Sequence, residues 1–104
     1  MIREGMDMGR FQKKKFPFGE PKNTAVITCC HITDNSADIL YVSHDEDGMW
    51  QFLCGGTHST EDARVVALGE IAALDRTVGE LASMPRGSAA ERGSKSSAWV
   101  IKKK

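Results

Sequence analysis

The chain has no apolar run near the length of a membrane span. Such a helix needs about 20 consecutive apolar residues, and glycine, proline or charge breaks every stretch sooner. The first residues are charged and carry no apolar block of leader length, so a secretory leader is not expected. Cysteine is scarce and odd in number, with Cys29, Cys30 and Cys54. Cys29 and Cys30 are adjacent, and neighbours on a strand point to opposite faces, so they make a poor disulfide. A reduced, cytoplasmic chain is the expectation. No Walker loop, Rossmann glycine pattern or Ser-x-x-Lys occurs. Asp45-x-Asp47-Gly48 begins like a calcium loop, but the twelfth position counted from Asp45 is Gly56 and not Glu.

What is present suits one domain. The chain has 104 residues, 40% hydrophobic and 27% charged, which is the composition of a globular protein with a modest core. Charge is balanced overall but segregated. Six bases face three acids in residues 1–23, two face ten in 24–85, and six face one in 86–104. Basic ends can contact nucleic acid. No recognition helix or aromatic platform accompanies them, so solvated ends are expected and nucleic acid is not.

Residues 42–56 organise the rest. Asp45-Glu46-Asp47-Gly48 suits a type I turn, with Gly48 in the left-handed conformation of a G1 bulge. That register sets His44 opposite Trp50 and Asp45 opposite Met49. Alternation then places Leu40, Val42, His44, Trp50, Phe52 and Cys54 on one face, the better core face. Ile39, Tyr41, Ser43, Gln51 and Leu53 take the other.

Ahead of the hairpin, residues 24–32 are β-branched and apolar and read as a strand. Residues 1–23 show no sustained period and read as a mobile basic arm. Phe11, Phe16 and Phe18 are the residues in it that could pin it to the domain. After Gly55-Gly56, a helix is predicted over residues 59–74, opened by the capping-box-like pair Ser59 and Asp62. A short second helix is predicted over 77–84, opened by Thr77 and Glu80 and stopped by Pro85. Residues 86–92 read as a connection or short strand, 98–101 as a last strand, and 102–104 as a basic tail. The expected fold is α+β. It has a small, mostly antiparallel sheet of about four strands, with one main and one short helix on one face. The domain spans residues 24–101.

Three motifs carry a likeness. They are Val-Ser-His-Asp-x-Asp-Gly-x-Trp-Gln-Phe-Leu-Cys-Gly at 42–55, Asp-Ala-Arg-Val-Val-x-Leu-Gly-Glu-Ile at 62–71, and Leu-x-x-x-Pro-x-Gly at 81–87, with Trp99 near the end. Together they resemble a bacterial domain family of unknown function, similar to one class of polymorphic-toxin immunity proteins. The likeness covers residues 24–101. It implies a small cytoplasmic protein and brings no catalytic residues with it.

The chemistry on offer is sulfur and imidazole. Cys29, Cys30, His31, His44, Cys54 and His58 are the donors, and three or four would suit zinc if the strands met. No Cys-x-x-Cys or His-x-x-x-His spacing supports that, so no metal and no cofactor is expected. Cys54 precedes a glycine pair, so a small thiol- or metal-dependent enzyme using Cys54, His58 and His44, with Cys54 and His58 as the nucleophile pair, is the alternative. The main expectation is a protein-binding module whose partner is another protein, such as a toxin, or a second copy. The predicted helix is apolar over most of its girth, which makes Val65, Val66 and Ala73 the expected contact surface.

Overall fold

The hairpin forms as its turn chemistry dictates. In the computed structural model, which describes residues 16–56 and 60–104, strand β2 (Tyr41–His44) and strand β3 (Trp50–Leu53) pair antiparallel with His44 opposite Trp50 and Val42 opposite Phe52. Asp45 N–H donates to the Met49 carbonyl at 2.8 Å, and Gly48 N–H to the Asp45 carbonyl at 2.9 Å. Gly48 has φ of 92°, the left-handed backbone that the bulge requires. Val42, His44, Trp50 and Phe52 are buried, so the face assignment holds for the strands themselves. It does not extend back past Tyr41, because Ile39 is buried and Leu40 is half-buried.

Strand β1 (Ala25–Cys29) is shorter than its apolar run suggests. It gives way to a single helical turn, α1 (Cys30–Thr33), which sends Ile32 into the core. Strand β4 (Ala63–Ala67) then pairs antiparallel with β1 over five residues, and helix α2 (Leu68–Leu74) follows without a break. The predicted helix over 59–74 is thus a helix only in its second half. The Val65-Val66 pair finds ladder partners on β1, and five residues of ladder outweigh a weak helical preference. Helix α2 takes its first amides' acceptors from the main chain: Leu68 N–H donates to the Thr24 carbonyl and Gly69 N–H to the Lys22 carbonyl, both at 2.8 Å.

The second predicted helix is a 3-10 helix over Arg76–Leu81. Its cap is Asp75, whose carboxylate accepts from Thr77 N–H at 3.0 Å, and not the predicted Thr77. Strand β5 (Ser88–Glu91) pairs with β2, and strand β6 (Val100–Lys103) pairs with β5.

The protein is α+β, but its sheet differs from the expected one. Among the described residues six strands form a mixed sheet in the order β4-β1-β3-β2-β5-β6. Strands β1 and β3 are parallel, and the other pairs are antiparallel. The core combines Val26, Val42, Trp50, Phe52 and Ala90 of the sheet with Leu68, Ile71, Val78 and Leu81 of the helices.

Both ends of the chain need correction. Residues 16–23 were expected in a mobile arm, but Phe18 is buried, edge-on to Trp50 at 5.3 Å between ring centroids. Glu20 accepts the Trp50 indole N–H at 2.7 Å. Phe16 packs at the margin of the same core. Burying an aromatic ring outweighs the cost of ordering a few residues. Residues 1–15, Phe11 among them, lie outside the described residues. Lys102 and Lys103, expected in a solvated tail, belong to β6, because β5 offers an edge for them to pair with. Their side chains stay exposed, as suits lysines on an edge strand. Lys104 is anchored, its Nζ 2.5 Å from Asp45 Oδ1.

Candidate thiol–imidazole site

Two parallel strands end at the same end of a sheet. Cys29 is the last residue of β1, and Cys54 directly follows the last residue of β3. The parallel pairing of Thr28 with Phe52 brings these two ends side by side. His31 follows two residues after Cys29, in the turn α1. Strand β4 runs the opposite way and starts at this end, so Asp62 arrives there as well.

The resulting cluster is tight. Cys54 Sγ lies 3.7 Å from His31 Nδ1. One ligand atom each from Cys29, His31 and Cys54 falls within 4.8 Å of the others. Cys30, His31 and Asp62 form a second set within the same limit, with Cys30 Sγ 3.8 Å from Asp62 Oδ1. Cys29 is buried, and the other four residues are half-buried. The backbone beneath the imidazole is pinned. The His31 carbonyl accepts from Ser36 N–H at 2.9 Å, Ala37 N–H at 3.1 Å and Ser36 Oγ at 3.1 Å. Asn35, at φ of 64°, turns the chain so that these donors can converge.

The electrostatics favour protonated thiols. Burial pushes the Cys29 thiol up, and the adjacent Cys54 thiol adds to this while backbone groups of Cys54 and Ile32 oppose it. Burial also raises Cys30, aided by the Asp62 carboxylate and opposed by Arg64. Neither is the activated thiolate of a nucleophilic enzyme. No disulfide joins the three cysteines.

Of the enzymatic alternative's residues, Cys54 and His44 are far apart. Cys54 is in the cluster. His58 lies outside the described residues. His44 is elsewhere: it pairs with Trp50, three strand positions from the Leu53 end of the hairpin, or roughly 10 Å along the sheet. There its ring stacks on Trp50 at 3.8 Å, and Nδ1 donates to the Met84 carbonyl at 2.8 Å. His44 is a satisfied core histidine. Among the described residues the imidazole that meets Cys54 is His31, and no local spacing marks it, because a parallel pairing between distant strands creates the contact.

The expected contact surface also divides. Val65 and Val66 are neighbours on a strand and face opposite ways. Val65 is 71% exposed, while Val66 turns toward the core. Val66 and Ala73 line an open groove of about 390 Å³ with Thr33, Glu70, Ile71 and Leu74. The premise of a helix apolar all round is thus replaced by an edge strand beside a short helix.

These features define an α+β protein with an open mixed sheet and a thiol–imidazole cluster at the ends of its two parallel strands. No family model, curated protein or solved structure matches the chain.

Proposed function

We propose that the protein is a binding module that accepts a partner protein along the outer edge of β4. The observation that carries this is the exposure of that edge: among the described residues β4 is the last strand of the sheet on its side, and Val65 stands 71% exposed on it. The main-chain geometry supports strand addition. Leu68 N–H bonds to Thr24, so alternation along the ladder turns Arg64 and Val66 toward β1. Ala63, Val65 and Ala67 then direct their N–H and C=O groups outward. A strand added there sets alternate side chains beside Val65 on one face and over the Val66–Ala73 groove on the other. The opposite edge, β6, ends in lysines and is less suited to pairing.

The partner proposed from the family resemblance is a toxin that the module neutralises in a reducing cytoplasm. A second copy of the chain is the other candidate. No helix among the described residues is long and apolar enough to cross a membrane, and a membrane partner forms no part of this reading. The test pairs the wild type with Val65→Pro, which removes one outward N–H and leaves the ladder to β1 intact. Sedimentation decides whether the wild type self-associates, and a pull-down from the native host seeks a heterologous partner. A dimer, or one specific partner, that is lost in Val65→Pro supports the reading. Association unchanged by the proline, or a monomer that retains nothing specific, refutes it.

A second reading is a small thiol- or metal-dependent enzyme, favoured by the 3.7 Å approach of Cys54 to His31. It predicts fast alkylation of Cys54 at neutral pH, and slow alkylation counts against a nucleophilic role.

A further inference from the structure

Sulfur and imidazole at the ends of β1 and β3 have the spacing of ligands on one ion. Tetrahedral zinc holds thiolate sulfur at about 2.3 Å and imidazole nitrogen at about 2.0–2.1 Å, which puts neighbouring sulfur and nitrogen roughly 3.6 Å apart. Cys54 Sγ and His31 Nδ1 are 3.7 Å apart. A lone thiol–imidazole contact explains that distance but not the arrival of Cys29. Its ligand atom also lies within 4.8 Å of both, although it comes from a different strand.

We propose that Cys29, His31 and Cys54 form a zinc-type metal site, supplying three of its ligands from the described residues. Two sulfurs and one imidazole select a borderline-soft divalent ion over magnesium or calcium, which take oxygen ligands. The ligands are carried on ordered elements, the end of β1, the turn α1 and the end of β3, so they need little rearrangement to close on an ion. The rival set of Cys30, His31 and Asp62 has a single thiol and a carboxylate. It competes for the same imidazole and is the poorer match to zinc.

The test uses the full chain, stripped with a chelator, kept reduced and titrated with Co(II). One equivalent is expected to produce thiolate-to-cobalt charge transfer and the visible bands of a tetrahedral ion, both bleached by stoichiometric Zn(II). Cys54→Ser and His31→Gln, each confirmed as folded by circular dichroism, should weaken binding by more than roughly 100-fold, beyond the loss caused by removing a group that only supports a ligand. Cys30→Ser should leave the spectrum unchanged. Because Cys29 is buried in the core, X-ray absorption on the zinc-loaded wild type tests it directly, without a variant, and two sulfurs are expected. The proposal falls if verified free thiols give no tetrahedral spectrum, or if Cys54→Ser keeps it while Cys30→Ser loses it. A count of one sulfur overturns it as well, as does a Cys29–Cys54 disulfide in a chain that takes up no ion after reduction.

Discussion

Arg92 Nη2 lies 2.6 Å from Asp75 Oδ2, with both side chains withdrawn from solvent. The pair joins strand β5 to the junction between α2 and the 3-10 helix. Arg92 also donates to the Ile39 carbonyl from Nε at 3.0 Å and Nη2 at 2.8 Å, to Thr77 Oγ1 at 2.9 Å and to the Lys95 carbonyl at 3.0 Å. Its guanidinium lies 4.1 Å from the centre of the Trp99 ring. A buried charge this well satisfied fixes geometry. Removing one partner strands the other. Arg92→Ala is expected to lose about 3–5 kcal/mol in chemical denaturation, and Arg92→Lys to recover little of it, because an ammonium lacks the planar fork. A loss below about 1 kcal/mol would mean that the network adds nothing to stability.

The same pair has a pH signature. Burial acts to raise the Asp75 pKa, but the hydrogen bonds from Thr77 and Arg92 prevail and hold it below the usual carboxylate range. A lowered folded pKa stabilises the fold above the unfolded carboxyl value and loses that contribution as pH falls through the folded one. Melting temperature should therefore decline on acidification below about pH 4, and less steeply in Asp75→Asn. Equal acid sensitivity in both proteins would contradict this.

Asp45 gives a sharper value. Burial opposes ionisation, yet hydrogen bonds from Lys104, Ser43 and Gln51 bring its pKa down to about 2. Its contribution is complete above the ordinary carboxyl value of 3.8 and disappears as pH falls through about 2. A carboxyl-detected NMR titration should place the midpoint near 2 in the wild type, and higher in Lys104→Met. A wild-type midpoint near 4 would show that Lys104 does not hold this contact in solution.

Phe52 is fully buried, and Phe18 lies edge-on to it at 6.3 Å between centroids. Phe52→Ala should cost on the order of 3–5 kcal/mol, a large share of the stability of so small a domain. Phe18→Ala should cost a comparable amount, and deleting residues 1–20 should lower the melting temperature. The deletion is the clearer test, since a mobile arm would leave the transition where it was.

Gly48 tests the turn. Its φ is 92°, and a Cβ there would meet the Arg86 guanidinium at 3.0 Å. Gly48→Ala should cost about 1–2 kcal/mol from the left-handed backbone, measured by equilibrium unfolding. A neutral alanine would mean that the turn relaxes to another type.

The hairpin was legible because its causes are local. Turn chemistry at residues 45–48 and alternation over a few residues on either side suffice to set the register, and neither needs a distant partner. The run from Ala63 to Leu74 is the contrast. Its apolar residues suit a helix or a strand, and a short apolar run does not choose between them. The ladder with β1 made the choice, and it split the run at Leu68. Strand β5 shows the same effect, since Ser-Ala-Ala-Glu has little strand preference of its own and pairs because β2 and β6 flank it. Arg92 carried no signal in the sequence, where it was one base among six near the chain end, although in the fold it is a buried centre. The sulfur and imidazole donors could be named from the sequence, but their meeting could not. Residue type determines what chemistry is available, and the parallel pairing of β1 with β3 decided that Cys54 faces His31 while His44 packs on Trp50. Such a pairing joins segments more than twenty residues apart, and its stability comes from the whole core, which no local pattern encodes.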